Sequence, residues 1–410
     1  MSKPKIRFNG FTEDWEQRKL GEITELKSAL RVHREEWTTE GVPFYRSSDV
    51  MAAINGTEND KAFISQKLYE KLSSVSGRLE AGDILVTGGG SVGNPYIVPD
   101  NAPLYTKDAD LLWIKNQGRF NPYFVYEFFL SPSFRSYLGS ISHVGTIAHY
   151  TITQLSETPI LLPSVEEQDK LGKYFQRIDH LITLHKRKCE ETKKLKKYML
   201  QKMFPKDGER VPEIRFSGFS DAWEQRKVLE LAEYSKGNGY SKGDLTESGT
   251  PIILYGRLYK KYQFAIDEVD TFVVPKSGSV YSQGNEVIVP ASGETAEDIA
   301  RASAVEKSGI LLGGDLNILR PFSFINPLFL ALAISNGEPQ KELAKKAQGK
   351  SVVHIHNSDI QEVTISYPVR AEQDQIVAVF RHLDHLITLH QRKCDELKRF
   401  KKFMLKNMFL

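Results

Sequence analysis

The sequence predicts a mixed α/β (α+β) protein that is a pseudo-two-fold tandem repeat. Two globular modules are expected to alternate with a pair of long antiparallel coiled-coil helices. Three observations support this fold: motifs that recur at a fixed offset, helix and strand signals that recur within each copy, and a coiled-coil periodicity after each module. The predicted domains are a first module at 1–163, a first helix with its hinge at 164–208, a second module at 209–368 and a second helix at 369–410.

Two motifs establish the repeat. The segment 15–19, Trp-Glu-Gln-Arg-Lys, returns unchanged at 223–227. The segment 179–185, Asp-His-Leu-Ile-Thr-Leu-His, returns unchanged at 384–390, which is 205 positions later. Chance does not produce two such matches in the same order. The chain therefore consists of two copies of one unit of about 205 residues.

Local signals inside the modules predict mixed strands and helices. An Asn-Pro pair precedes an apolar run at 121–122 and again at 326–327. Asn as the N-cap and Pro at the first helical position together mark a helix start. An apolar strand that leads into a glycine-bearing loop is predicted at 82–90, with a looser counterpart at 286–293. Between these signals the two copies have different sequences.

Each long helix has a start signal and a seam. Ser164 and Glu167 form a capping-box pattern directly after Pro163. Apolar or small residues then recur mostly at spacings of three and four, as in a coiled coil. In the first helix these residues are Leu171, Phe175, Ile178, Ile182, His185, Cys189, Thr192, Leu195, Met199 and Met203. About 38 helical residues span roughly 57 Å, and a helix of that length needs a partner. We expect the two helices to pair with each other.

Antiparallel pairing would bring equivalent positions near the helix midpoints together. His185 would then approach His390, and Cys189 would approach Cys394. Two His and two Cys side chains are a known zinc ligand set. However, a cysteine at a seam is usually a small buried hydrophobe, and a histidine there usually sets the register. We therefore predict no metal and no other cofactor.

Composition points to a cytoplasmic protein. No apolar run reaches the roughly 18 residues that a membrane span requires, and the first residues lack the apolar core of a signal peptide. Two cysteines in 410 residues argue against a disulfide framework. The net charge of +3 does not by itself indicate nucleic-acid binding. The lysine-rich run at 186–206 is most simply a solvated helix face.

The chain resembles the specificity subunits of type I restriction–modification systems. The resemblance covers the whole chain and includes the order module, helix, module, helix, the Trp-Glu-Gln-Arg-Lys motif and the Glu-Gln-Asp helix start at 167–169 and 372–374. It implies that each module is a target-recognition domain that reads one half of a split, asymmetric site on double-stranded DNA. It also implies that the helices set the gap between the halves and dock two adenine-N6 methyltransferase subunits. Restriction subunits would join through that methyltransferase core.

The candidate DNA-contacting residues lie on loops of the two modules, where side chains can reach groove edges. In the first module they are Tyr45, Arg46, Ser47, Ser48, Gly88, Gly89, Ser91, Thr146 and His149. In the second module they are Tyr255, Arg257, Tyr259, Ser292, Glu294, Arg301, Lys350, Ser351 and His354. Each glycine-bearing loop is, without the resemblance, more simply a plain turn.

The repeated Trp-Glu-Gln-Arg-Lys motif cannot distinguish two different half-sites, because it is identical in both copies. It is expected to be structural or to contact a partner subunit, and Trp15 and Trp223 are expected to pack where each module joins the helices. The candidate docking residues are Trp15, Gln17, Arg18, Trp223, Gln225 and Arg226.

The sequence predicts no active site. Asn121-Pro122-Tyr123-Phe124 lacks the second proline of an adenine-methyltransferase tetrapeptide and is better interpreted as a helix cap. The chain has no Gly-x-x-x-x-Gly-Lys-Ser/Thr phosphate-binding loop. Two alternatives remain: a coiled-coil adaptor that binds only proteins, and a subunit that serves methylation without a restriction partner. The adaptor predicts two equivalent modules, whereas these modules diverge.

Overall fold

The computed structural model describes residues 3–108, 110–141, 149–349 and 352–409. The chain forms two compact units, the first from residues 1–186 with 391–410 and the second from residues 187–390. Each unit holds one globular module, the first part of the long helix that follows this module, and the last part of the other long helix.

The first module begins and ends on one two-stranded sheet. In chain order its elements are β1 (Glu16–Lys19), α1 (Leu20–Ile23), β2 (Leu26–Ser28), β3 (Trp37–Thr38), β4 (Val42–Tyr45), α2 (Ser47–Asn55), β5 (Ala62–Ile64), α3 (Gln66–Ser76), β6 (Ile84–Thr87), β7 (Pro95–Ile97), β8 (Tyr105–Thr106), β9 (Leu111–Ile114), α4 (Pro122–Leu130), α5 (Pro132–Ile141), α6 (Ile152–Glu157) and β10 (Pro159–Leu162). Strand β1 pairs antiparallel with β10. Two four-stranded sheets follow the orders β2-β9-β6-β7 and β3-β5-β4-β8. The long helix α7 (Val165–Lys202) comes next.

The second module has the same opening and closing pair but larger sheets. Its elements are β11 (Glu224–Lys227), β12 (Ala232–Lys236), β13 (Leu245–Thr246), β14 (Thr250–Ile253), α8 (Arg257–Lys260), β15 (Ala265–Ile266), β16 (Phe272–Val273), β17 (Tyr281–Gln283), β18 (Glu286–Pro290), β19 (Ser292–Gly293), α9 (Ala296–Ile299), β20 (Ser303–Val305), β21 (Ser308–Leu312), β22 (Leu316–Pro321), α10 (Pro327–Ile334), α11 (Gly337–Lys346), β23 (Val353–His354), α12 (Asn357–Glu362) and β24 (Thr364–Tyr367). Strand β11 pairs with β24, and β19 pairs with β23. The five-stranded sheets follow the orders β12-β22-β18-β20-β15 and β13-β16-β14-β21-β17. The chain ends with α13 (Arg370–Met408).

The predicted antiparallel pairing of the long helices is confirmed within each unit. In the second unit the Cys189 thiol donates to the carbonyl oxygen of Ile387 at 3.8 Å, and Lys196 Nζ contacts Asp384 at 2.6 Å. Moving forward along α7 therefore means moving backward along α13. The first unit repeats both contacts, with the residues Ile182, Cys394, Asp179 and Lys401.

The predicted seam is correct over most of its length and wrong at Leu195. Leu171, Phe175 and Cys189 are buried as predicted, but the Leu195 side chain is 48% exposed. The neighbouring residue Lys196 takes the inward position instead, where its ammonium lies 5.3 Å from the ring centre of Phe264 and beside Asp384. The ion pair thus replaces the leucine at this turn.

The Glu-Gln-Asp motif connects each helix start to its module. Arg7 donates from Nε and Nη2 to the two carboxylate oxygens of Glu167, both at 2.7 Å. Gln168 Oε1 accepts from the backbone N–H of Asn121, and Asp169 accepts from the Asn121 side-chain amide. The second unit repeats these contacts with Arg215, Asn326, Glu372, Gln373 and Asp374. In both copies the Asn side chain caps a helix, so the interpretation of the Asn-Pro pairs as caps is confirmed.

The end of each long helix is tied to the segment before a module. The N–H of Ile214 donates to the carbonyl oxygen of Lys202 at 2.9 Å in the second unit. The N–H of Ile6 donates to the carbonyl oxygen of Asn407 at the same distance in the first unit.

Candidate nucleic-acid interface

The three predicted clusters of the first module meet around the backbone of Asp110. Its carbonyl oxygen accepts from the Ser47 hydroxyl at 2.9 Å and from the Gly88 N–H at 2.8 Å. Gly89 in turn forms an antiparallel bridge with His149. The loop after β6, the start of α2 and the histidine are therefore adjacent, although the predicted contact residues Gly88 and Gly89 are themselves buried. His149 is exposed there, as are Ser48 and Ser91.

The second module has the same backbone linkage with different side chains. The carbonyl oxygen of Asp315 accepts from the Ala291 N–H at 2.9 Å, as Asp110 accepts from Gly88. Ser292 and Gly293 then pair with the strand that carries His354, and Ser292 Oγ lies 3.0 Å from His354 Nδ1. Sequence reasoning missed Asp110 and Asp315, because they act through their backbone carbonyl oxygens. Their separation of 205 positions, which equals the repeat offset, was the available signal.

Two arginines among the predicted base readers are engaged within the fold. Arg46 donates to Asp49 at 2.9 Å and to the backbone carbonyl of Asp60, and its guanidinium lies over the ring of Trp37 at 5.6 Å. It is half-buried. A DNA contact by Arg46 would have to break these bonds, so we expect it to support the loop.

Arg257 is held in the same way. It donates to Asp270 at 2.7 Å and to Gln263 and the backbone of Glu268, both at 2.9 Å. Arg301 is less constrained, because its contacts are Asp298 at 3.6 Å and the ring of Tyr262 at 5.5 Å.

The remaining predicted tyrosines pack in tyrosine pairs, and Glu294 lies near the pair of the second module. Tyr255 and Tyr259 have ring centres 6.2 Å apart, and burial together with the nearby Glu294 raises the pKa of Tyr259. Glu294 itself is exposed. Tyr45 packs against Tyr96 at 5.6 Å in the first module. The predicted contacts Thr146, Lys350 and Ser351 lie outside the described residues.

The docking candidates separate into buried and exposed residues. Trp15 packs edge-on against Phe124 and Phe409, and Trp223 is 1% exposed in the equivalent position. A buried indole has no surface to offer a partner, which argues against the docking role predicted for Trp15 and Trp223. Both tryptophans instead belong to the frame that joins module and helix. The exposed docking candidates are Gln17, Arg18, Gln225 and Arg226, on β1 and β11.

A buried charge cluster of three side chains lies in the first unit. The ammonium of Lys401 contacts Glu127 Oε1 at 2.8 Å and both carboxylate oxygens of Asp179. Glu127 is 1% exposed, and burial raises its pKa to about 8 even though Lys401 is adjacent. The position equivalent to Glu127 in the second unit is Leu332.

Within the described ranges, no three His, Cys, Asp or Glu side chains are grouped so as to hold a metal ion. Both cysteines are buried. None of the helices in this part of the chain is long and apolar enough to cross a membrane.

Two α+β modules with divergent loops, each followed by a long helix, define a class of proteins built by tandem duplication. A family model described as the type I restriction modification DNA specificity domain matches residues 12–194 and 220–399. The chain belongs to this family of type I restriction–modification specificity subunits.

Similar proteins agree with this assignment. The type I restriction enzyme MjaVIII specificity subunit of Methanocaldococcus jannaschii is 22% identical over 406 residues, which cover 95% of this chain and 91% of that protein. A crystal structure of the type I S subunit from M. genitalium is similar over 100% of this chain and 99% of its own, with a TM-score of 0.64 and 15% identity. A chain from a structure on complex assembly of the type I R-M system has a TM-score of 0.53 at 17% identity, over 95% and 96% of the two chains. At these identities the structural likeness concerns the fold.

Proposed function

We propose that each module reads one half of a bipartite, asymmetric site on double-stranded DNA. One observation carries this proposal: both modules have the same backbone linkage, yet they present different side chains on it. Both linkages display an equivalent histidine, His149 or His354, but the Asp110 linkage also displays Ser91, whereas the Asp315 linkage displays Glu294. A common frame with different exposed groups is what two different half-sites require.

The exposed groups suit base recognition. In the major groove each base pair presents a distinct set of donors and acceptors. A carboxylate such as that of Glu294 can accept from the amino group of cytosine, and hydroxyl or imidazole groups can donate to purine acceptors or accept from amino groups. Of the glycines after β6, Gly88 and Gly89 are buried and Gly90 is exposed, so the backbone can approach a phosphate oxygen at Gly90. Phosphate contacts position a protein without reading sequence.

The helices have matching apolar surfaces that fit two copies of one partner. Leu195 and Tyr198 are 48% and 49% exposed in the second unit, and the equivalent Phe400 and Phe403 are 45% and 55% exposed in the first. Large exposed side chains three positions apart lie on one helix face, and such patches mark interaction sites. We assign these two patches to two adenine-N6 methyltransferase subunits, through which restriction subunits join the complex. The specificity subunit itself then has no catalytic role.

Binding to a library of random duplexes, with the methyltransferase subunits present, tests the proposal. We expect selection of one split sequence. His149→Ala should relax the bases chosen in one half-site and His354→Ala those in the other, by about 1–3 kcal/mol per lost base contact. Selection of no sequence would support the protein-only adaptor instead.

The spacing role of the helices has its own test. Insertion of four residues near positions 193–196 lengthens the helix by roughly 6 Å. The preferred gap between the half-sites should then increase while the bases stay the same. A change in the bases with an unchanged gap would contradict the spacer role.

A further inference from the structure

We propose that a groove in the second unit binds a peptide segment of a protein partner, one in which an acidic residue stands next to an aromatic residue. The groove has a volume of about 570 Å³ and lies between the segment before β11 and the start of α13. Three arginines and three aromatic residues line much of it: Arg215, Arg226, Arg370, Phe219, Phe324 and Tyr367. This proposal does not depend on the reading of DNA.

A buried hydrogen-bond donor without an acceptor indicates what kind of group the groove binds. Arg215 uses Nε and Nη2 for Glu372, and its buried Nη1 has no hydrogen-bond partner among the described residues. In the first unit the equivalent nitrogen, Nη1 of Arg7, donates to the carbonyl oxygen of Glu13 at 2.5 Å. A buried charged donor without an acceptor is costly, so an incoming oxygen at this point would be stabilising.

A row of aromatic rings continues from this donor in the second unit. The ring centre of Phe324 lies 6.2 Å from that of Phe322 and 6.2 Å from that of Tyr367. Phe322 and Phe324 are each 41% exposed. The equivalent residues of the first unit, 205 positions earlier, are Gln117 and Arg119. The aromatic row is therefore specific to the second copy.

A phenylalanine shared by both copies, Phe11 or Phe219, also has different surroundings in the two units. In the first unit Phe11 is covered by the ammonium of Lys170, 4.6 Å from the ring centre. In the second unit the residue equivalent to Lys170 is Gln375, and Phe219 lines the groove. The first unit thus has neither the unsatisfied donor nor the open aromatic surface.

The differences between the two units indicate which kind of ligand the groove binds. Arginine and aromatic residues are enriched at protein interfaces, and a carboxylate or carbonyl oxygen beside an aromatic side chain complements both parts of the groove. Two carboxylates, Asp221 and Glu224, also line the groove, and Glu224 is already engaged by Arg226 at 3.0 Å and by the Tyr367 hydroxyl at 2.9 Å. Arg370 is paired with Asp374 at 2.9 Å, so the donor left for a ligand is Nη1 of Arg215. Since the unsatisfied donor and the aromatic row belong to the second copy among the residues that the structure describes, we expect the partner to bind once per chain.

Calorimetric titration of the full chain with a terminally blocked Gly-Phe-Glu-Gly peptide tests this. We expect one peptide per chain. Replacing Glu by Gln, or Phe by Ala, in the peptide should weaken binding about tenfold. The double variant Phe322→Gln, Phe324→Gln alters exposed side chains and should also weaken binding about tenfold. Arg215→Lys keeps a charge for Glu372 but loses the free N–H, and should weaken binding about fivefold.

The matched variant Gln117→Phe, Arg119→Phe in the first unit should leave the stoichiometry at one, because the Nη1 of Arg7 already has an acceptor. Three results would overturn the proposal: no saturable binding, equal binding by the Phe322→Gln, Phe324→Gln variant, or displacement of the peptide by duplex DNA. The last result would assign the groove to nucleic acid. If Arg215→Lys does not fold, the surface phenylalanine variant still decides.

Discussion

Replacement of Glu127 by Gln should change how the stability of the first unit depends on pH. Below about pH 4.5 the carboxyl is protonated in both the folded and unfolded chain, so it contributes nothing. Burial raises the pKa of Glu127 to about 8 in the folded state. Between about pH 4.5 and pH 8, the unfolded chain therefore releases a proton from Glu127 that the folded chain keeps. Stability therefore falls as pH rises through this window.

The size of the effect follows from the two pKa values. One pH unit between folded and unfolded pKa values corresponds to about 1.4 kcal/mol. The pKa of Glu127 is 4.5 in the unfolded chain and about 8 in the folded chain. This difference lowers the free energy of unfolding by roughly 4–5 kcal/mol, as an upper limit, once the pH exceeds 8. Glu127→Gln removes this titration, and its amide oxygen can still accept from Lys401. The groups that face Glu127, namely Lys401, Asp179 and Tyr126, are unchanged.

Urea denaturation of the full chain at pH values from 5 to 8.5 measures the difference. We expect Glu127→Gln and the wild type to be close at pH 5, and the variant to gain by several kcal/mol towards pH 8.5. The exposed Glu166→Gln serves as the matched control and should follow the wild type throughout. If the free energy of unfolding depends on pH in the same way for Glu127→Gln and the wild type, the raised pKa of Glu127 is not the cause of the pH dependence.

Three further substitutions, the last with a matched control, test the packing of the two units. Glu167→Gln leaves the Arg7 guanidinium without its buried carboxylate and should cost about 3–5 kcal/mol, seen as a lower urea midpoint with unchanged slope. Trp223→Ala empties a site that is 1% exposed and should also cost about 3–5 kcal/mol in the same assay. Gly237→Ala would place a methyl group against the backbone of Gly313, whereas Gly239→Ala meets nothing within 4 Å. Thermal unfolding should show a loss for the first glycine variant, of about 1–3 kcal/mol or more, and little change for the second.

The sequence predicted the frame better than the recognition surface. Helix caps, the repeat and the long helices depend on local patterns, so α7 at Val165–Lys202 lies within the predicted helix and hinge at 164–208 and begins one residue after its predicted start. The loops depend on partners distant in sequence. Arg257 looks like a base reader until Asp270 is seen beside it, and Asp110 organises its loop through a carbonyl oxygen that every residue has. The exposure of Leu195 had the same cause, since Asp384 determines which residue faces inward.

The junction between helix end and module has a consequence for the order of folding. The Lys202–Ile214 bond joins residues 12 positions apart, whereas the matching Ile6–Asn407 bond joins residues 401 positions apart. Loop-closure entropy makes the longer connection costlier by roughly 3 kcal/mol. The second unit is also continuous in sequence, while the first needs residues 391–410. During synthesis the second unit can therefore complete its core first, and the first module waits for the last helix to emerge.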